Sequence, residues 1–361
     1  MSITDLVLKK AFVKRYDDDH IIHYFSHEDF PGMEARPVQF ATPQNLNIRG
    51  MIYSYPGSMS AFGSNDSNSS NDSNVSNSPN GTSGSNSSNS SNSPNVSDHS
   101  KELVIFCHGM GGGHRSYMRE IDVICRKGYE VLAYDNIGCF ESDGEDIRGL
   151  SESVNDLVCC MDWIASEEGL KDRRIHVMGH SWGGFAAANI LNFRQRNIVS
   201  VTVFSAFASI DAFSDAGFGG RLKLFKQAIR RHERKVNPAY ADTDCANAFK
   251  DTPVKVLWIH SRDDYMADIS TGLDYVRTRV DNPHISYLET TGKFHNPNYT
   301  TDAVNYLRET FGEYEMLVKK KKLRTFGQKK AYMDSKDFRR MTEQDRAIWD
   351  AVFAHMEKAD A

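Results

Sequence analysis

The chain has 361 residues, 40% of them hydrophobic, and a formal net charge of −5, which suits one large core with room for appendages. The acidic balance argues against general nucleic-acid binding, and no stretch approaches the roughly 20 apolar residues that span a bilayer. Cys107, Cys125, Cys139, Cys159, Cys160 and Cys245 show no paired spacing and mostly fall in apolar runs. They read as buried free thiols of a reducing compartment, and a cytoplasmic location is expected.

Residues 1–36 form an N-terminal extension, predicted as a short helix followed by irregular chain. Lys9 and Lys10 break its only apolar run, unlike a signal peptide. His20, His23 and His27 lie near Asp17, Asp18 and Asp19, but the spacing matches no metal-ligand pattern. A polar surface segment is the simpler reading, and no metal or other cofactor is expected. From Pro37 to Tyr55, two alternating runs flank Pro43-Gln44-Asn45 and predict a hairpin at the antiparallel edge of a larger sheet. Residues 64–98, almost all Ser and Asn, have nothing to bury and predict a disordered insertion without a catalytic role. Lengthening a loop about eightfold adds only about 2 kcal/mol of closure entropy, which a large domain tolerates.

Strands and helices then alternate. Leu103 to Cys107 is a continuous apolar run, as in a strand covered on both faces. A helix around Met118 to Cys125 follows, then a strand over Glu130 to Tyr134 and helical spacing from Val154 to Ile164. Further strands are predicted at Arg174 to Met178, Ile198 to Phe204, Val254 to Ile259 and Ile285 to Leu288, with helices near Ile269–Val280 and through Val304, Leu307 and Phe311. This rhythm predicts an α/β fold, a doubly wound, mostly parallel sheet with helices on both faces. Active residues of such sheets gather at the carboxyl ends of strands.

Three strand ends carry residues suited to acyl transfer. Gly179-His180-Ser181-Trp182-Gly183 follows one strand and opens a helix. A serine alcohol becomes nucleophilic when it is held away from its backbone, beside a base and near oxyanion donors. A tight strand-to-helix turn does this, provided that Gly179 and Gly183 carry no side chain. His260-Ser261-Arg262-Asp263-Asp264 and Thr290-Thr291-Gly292-Lys293-Phe294-His295 follow two later strands. They supply a base and the carboxylate that fixes its tautomer, in the order Ser181, Asp264, His295. Asp263 replaces Asp264 if the strand ends one residue earlier, and Asp211 is a remoter alternative. Cys107 reads as packing, and His108 and His180 as loop supports.

These segments, together with His108-Gly109-Met110-Gly111-Gly112-Gly113 and Gly128-Tyr129-Glu130-Val131-Leu132-Ala133-Tyr134-Asp135, resemble an α/β-hydrolase over roughly residues 37–315. The nearest branch holds serine aminopeptidase-like and monoacylglycerol-lipase-like esterases. The resemblance implies Ser181 as nucleophile, His295 as base and Asp264 as acid, with the backbone N–H groups of Met110 and Trp182 as oxyanion hole. It further implies a serine hydrolase acting on a small-molecule ester, or an amide or thioester, through an acyl-enzyme and without a cofactor. A catalytically silent binding module and an acyltransferase are the alternatives; the intact set of three argues against the first. Where many relatives have Gly-x-Gly-x-Ser, this chain has Gly138-Cys139-Phe140-Glu141-Ser142, so Phe140 is expected to narrow that edge of the site.

The hydrolase domain is expected over 37–317, with a small helical cap at 206–250, and 318–361 as a basic linker and C-terminal helix. Residues 221–235 hold seven Lys/Arg against one Glu, with Leu222, Phe225 and Ile229 on one helical face. Core packing with solvated charges is the favoured reading. The charge surplus also raises a second expectation: steering of acidic or lipid-like esters, with peripheral contact to anionic membrane.

Overall fold

The computed structural model describes residues 14–17, 21–55, 99–194, 196–218 and 223–358. The predicted N-terminal helix, the Ser/Asn-rich insertion, Asp18 to His20 and Leu222 lie outside these residues, as does the side chain of Phe225.

Eight strands form one sheet in the order β1-β2-β4-β3-β5-β6-β7-β8. They are β1 (Glu34–Ala41), β2 (Asn47–Ser54), β3 (Glu102–Cys107), β4 (Glu130–Tyr134), β5 (Arg174–His180), β6 (Ile198–Phe204), β7 (Lys255–Ser261) and β8 (Ile285–Thr290). The hairpin β1–β2 runs antiparallel to its neighbours, and β4, β3, β5, β6, β7 and β8 are parallel. Every residue of β3 is buried, which follows from helices covering both faces. Side chains alternate accordingly. Leu103, Ile105 and Cys107 join one core with Val177, Val201, Trp182 and Phe185. Val104 and Phe106 join the other with Ile121, Ile124, Met178 and Ile259.

The registers align the ends that matter. Cys107 pairs with Gly179, His180 with Phe204, and Ser261 with Thr290. The carboxyl ends of β3, β5, β6, β7 and β8 therefore open on one edge.

Local chemistry adjusts several boundaries. The helix predicted near Ile269–Val280 is a 3-10 turn (Ile269–Thr271) and a short helix (Leu273–Arg277). Between them Gly272 packs so tightly that a Cβ would lie 2.0 Å from the Ala206 carbonyl. The helix after β8 runs Thr301–Lys319, and the Thr300 hydroxyl caps it by accepting the Ala303 N–H at 3.1 Å. Two helices that strand–helix alternation does not announce follow, Phe326–Asp334 and Phe338–Met341. The final helix, Arg346–Lys358, buries Trp349, Val352, Phe353 and Met356 against the second core.

Candidate active site

The turn after β5 has the close approaches that its glycines suggest. A Cβ on Gly179 would lie 2.2 Å from the Gly183 carbonyl oxygen, and one on Gly183 would lie 2.1 Å from that of Cys107. Ser181 sits between them at φ 55°, ψ −117°, a conformation that non-glycine residues seldom adopt. The turn is locked by its backbone: Ser181 N–H donates to Phe204 O and Phe185 N–H to Ser181 O, both at 2.9 Å. The helix Trp182–Asn189 begins at the next residue, so its free N–H groups face the serine's surroundings.

Beyond β7 and β8, two neighbouring carboxylates have different partners. Asp264 is buried, and its Oδ2 accepts His295 Nδ1–H at 2.8 Å. Its Oδ1 accepts the N–H groups of Met266 and Ala267 at 2.9 and 3.0 Å. A second imidazole, His260, brings Nε2 to 3.2 Å from Oδ2 while donating to Ala267 O at 2.7 Å. Burial alone would raise the Asp264 pKa, but the hydrogen bonds from His260 and His295 outweigh it and hold the carboxyl well below the usual carboxylate range. Asp263 turns the other way. Its Oδ1 accepts the Ser261 hydroxyl at 2.5 Å and the Gly292 and Phe294 N–H groups at 3.1 and 3.3 Å, tying down the loop before His295. Asp211 lies apart, paired with Arg230 of the helix Lys223–Val236.

A polar chain crosses the floor of the same edge. Gly109 N–H donates to Tyr117 Oη at 3.0 Å, Tyr117 O–H donates to His180 Nδ1 at 2.9 Å, and His180 Nε2–H donates to His295 O at 2.7 Å. Burial pushes the His180 pKa down to about 3, with the nearby His295 ring acting in the same direction, so His180 is neutral and both its nitrogens are satisfied. Sequence reasoning places His180 as a loop support; the tie to Tyr117 has no local sequence signal. His108 supports the neighbouring loops through Gly109 O at 2.8 Å and the Asn136 N–H at 2.9 Å. Cys107 is buried against Tyr134. Phe140 lies edge-on to Tyr24 of the N-terminal segment at 5.6 Å, and its ring also faces Gly113 of the loop after β3, where a Cβ would meet it at 2.9 Å.

Ser181 follows His180, whose ring centre lies 4.7 Å from that of His295. Among the described residues the Ser181 hydroxyl makes no hydrogen bond to His295, and neither Met110 nor Trp182 N–H donates to a protein group.

Residues 98–250 match the family model described as serine aminopeptidase, S33. The solved Pyrococcus furiosus esterase Pf2001 superposes with a TM-score of 0.52 at 17% identity, over 86% of this chain and 96% of that one. The chain has the α/β-hydrolase fold. Curated relatives of this chain include the proline iminopeptidases of Lactobacillus helveticus, 26% identical over 32% of this chain and 39% of that protein, and of Clostridioides difficile, 29% identical over 30% and 36%. The chain thus spans less than half the length of either peptidase.

The basic helix Lys223–Val236 bears on the steering expectation. Lys226 pairs with Asp215, Arg230 with Asp211, and Arg234 with Asp242. Glu233 is buried and accepts the Leu150 and Ser151 N–H groups at 2.7 and 3.0 Å, while Ile229 is buried in the first core. Three cations are neutralised by carboxylates on neighbouring elements, so the surplus counted along the helix is not a matching surplus in space. Among the described residues no helix is long and apolar enough to cross a membrane.

Proposed function

We propose that this chain is a serine hydrolase that cleaves a carboxylic ester through an acyl-enzyme. The 2.8 Å bond from His295 Nδ1 to buried, ionised Asp264 carries the reading. It leaves Nε2 as the proton-accepting nitrogen of an imidazole whose ring centre lies 4.7 Å from that of His180, the residue before a serine at a strained strand-to-helix turn. Ser181 Oγ attacks the ester carbonyl carbon and passes its proton to His295 Nε2, a contact made when substrate is bound. The negative charge forming on the carbonyl oxygen is met by the N–H groups of Met110 and Trp182. His295 then returns the proton to the departing alcohol oxygen, leaving an acyl group on Ser181. Water, deprotonated by the same nitrogen, releases the acid and regenerates the serine.

The esterase fold likeness favours an ester as substrate; an amide, as in the iminopeptidases' names, uses the same steps. The test is labelling of the purified protein with a fluorophosphonate, read by intact mass and peptide mapping, beside turnover of p-nitrophenyl esters. One adduct at Ser181, lost with turnover in a folded Ser181→Ala protein, is expected. A folded wild type that neither labels nor turns over any ester or aminoacyl-nitroanilide refutes the reading.

A further inference from the structure

The loop that carries His295 is held at two ends by different parts of the chain. On the side towards β8, Asp263 accepts the Gly292 and Phe294 N–H groups. On the far side, between His295 and the helix Thr301–Lys319, no strand supports it. It is hydrogen-bonded instead to a tripeptide near the C-terminus, Glu343-Gln344-Asp345, and to Glu120. Asp345 N–H donates to Asn298 O at 2.7 Å, Thr300 N–H donates to Glu343 O at 2.9 Å, and Tyr299 and Gln344 form an antiparallel bridge. The buried Asn298 amide donates to Gln344 Oε1 at 2.9 Å and to Glu120 Oε1 at 3.0 Å.

The charged contact is more telling. Lys293, two residues before His295, is buried; its Nζ donates to Tyr299 O at 2.7 Å and pairs with Asp345. One ammonium thus spans the loop from Lys293 to Tyr299 and fastens it to residue 345. The tripeptide is itself anchored: Trp349 Nε1–H donates to Gln344 Oε1 at 2.9 Å, and the fully buried Trp349 docks the final helix on the sheet. All these C-terminal groups lie outside residues 98–250, the stretch matched by the family model.

We propose that Glu343-Gln344-Asp345 is a clamp that sets the position of His295, with Lys293 and Asp345 as its positioning residues. The proposal rests on the serine-hydrolase reading above. A base must lie within a fraction of an ångström of its productive place, and a displacement of about 1 Å can lower the rate roughly a hundredfold. Neither Lys293 nor Asp345 touches the reacting atoms, so their effect is transmitted through the loop.

The test uses the full chain with Asp345→Asn, Asp345→Glu and Gln344→Met, each checked for folding by circular dichroism. In Asp345→Asn, kcat for a p-nitrophenyl ester and the rate of Ser181 labelling should fall together, roughly ten- to a hundredfold, with KM within about twofold. Asp345→Glu, which keeps the charge, should recover most of the loss. Should Asp345→Asn fail to fold, Gln344→Met, which removes the Gln344 side-chain contacts to Asn298, Trp349, Thr342 O and Glu120 but leaves the Lys293–Asp345 pair, must show the same kcat-only loss. A folded Asp345→Asn enzyme with wild-type kcat overturns the clamp, as does a wild-type kcat in Gln344→Met where that variant decides. A wild type that does not label at Ser181 instead overturns the hydrolase reading beneath it.

Discussion

Exchanging each of two adjacent carboxylates for its amide separates their roles. In Asp264→Asn the side-chain carbonyl is drawn to the Oδ1 position, where it keeps the Met266 and Ala267 N–H groups at 2.9 and 3.0 Å. The amide NH2 then occupies the Oδ2 position, 2.8 Å from His295 Nδ1 and 3.2 Å from His260 Nε2. A donor there favours the imidazole tautomer with a bare Nδ1 and its proton on Nε2, which cannot accept the serine's proton. The negative charge that stabilises the imidazolium is lost as well. Together these changes should lower kcat by about 10⁴-fold, equivalent to roughly 5 kcal/mol of barrier, with the fold retained. Asp263→Asn behaves differently, since an amide oxygen can accept the Ser261, Gly292 and Phe294 donors as the carboxylate does. Its loss should be below about tenfold. The assay is single-turnover release of p-nitrophenol, where the acylation step is read directly. A large loss in Asp263→Asn with near-normal Asp264→Asn would refute the assignment.

Tyr117→Phe removes the hydroxyl between Gly109 and His180, leaving a buried donor and a buried acceptor unpaired; thermal or urea unfolding should show a loss of about 2–4 kcal/mol, and kcat should fall with it. A variant as stable and active as wild type would show that the chain from Gly109 to His295 is incidental. Burial pushes the Glu120 pKa from 4.5 up to about 7. A carboxyl raised in the folded state contributes stability that is full below its unfolded pKa and is lost as pH rises through the folded value. Glu120→Gln should therefore gain on wild type by an amount on the order of 3 kcal/mol between pH 4.5 and 8, read as the difference in urea midpoints; a constant difference would count against the shift. With Lys226, Arg230 and Arg234 paired, kcat/KM for an anionic and a neutral ester should have the same salt dependence. A steep salt effect on the anionic ester alone would reinstate steering.

Most of the sheet is legible because burial on both faces writes an unbroken apolar run, as in Leu103 to Cys107, and because Gly179 and Gly183 mark a place where backbones touch. The predicted edges at Glu130–Tyr134 and Ile198–Phe204 coincide with β4 and β6. Other features depend on partners distant in sequence. Whether Asp263 or Asp264 meets the imidazole depends on how the chain leaves β7 after Ser261, a matter of backbone direction that residue types do not encode. The charges of the helix Lys223–Val236 look unbalanced along the chain because Asp211, Asp215 and Asp242 sit on other segments. The helix Phe326–Asp334 has little apolar periodicity to reveal it. Its signal is the capping box from Thr325 to Gln328, with Thr325 Oγ1 accepting the Gln328 N–H at 3.2 Å.

The residue before the serine also bears on the proposed chemistry through electrostatics. When His295 takes up a proton, any cation near it opposes the step, and His180 lies with its ring centre 4.7 Å away. Two unit charges at that separation repel by about 3–4 kcal/mol at an effective dielectric constant of about 20, equivalent to two to three powers of ten in rate. Burial removes this penalty by keeping His180 neutral, its pKa pushed down to about 3. The neutral ring then does what a charged one could not. It accepts from Tyr117 on Nδ1 and donates from Nε2 to the His295 carbonyl, so it steadies the base without competing for the proton. Asp264, held ionised on the other side of His295, is then the nearest charge the imidazolium meets, and its sign is favourable. The same burial that keeps His180 neutral would thus set the electrostatics of the proposed proton transfer.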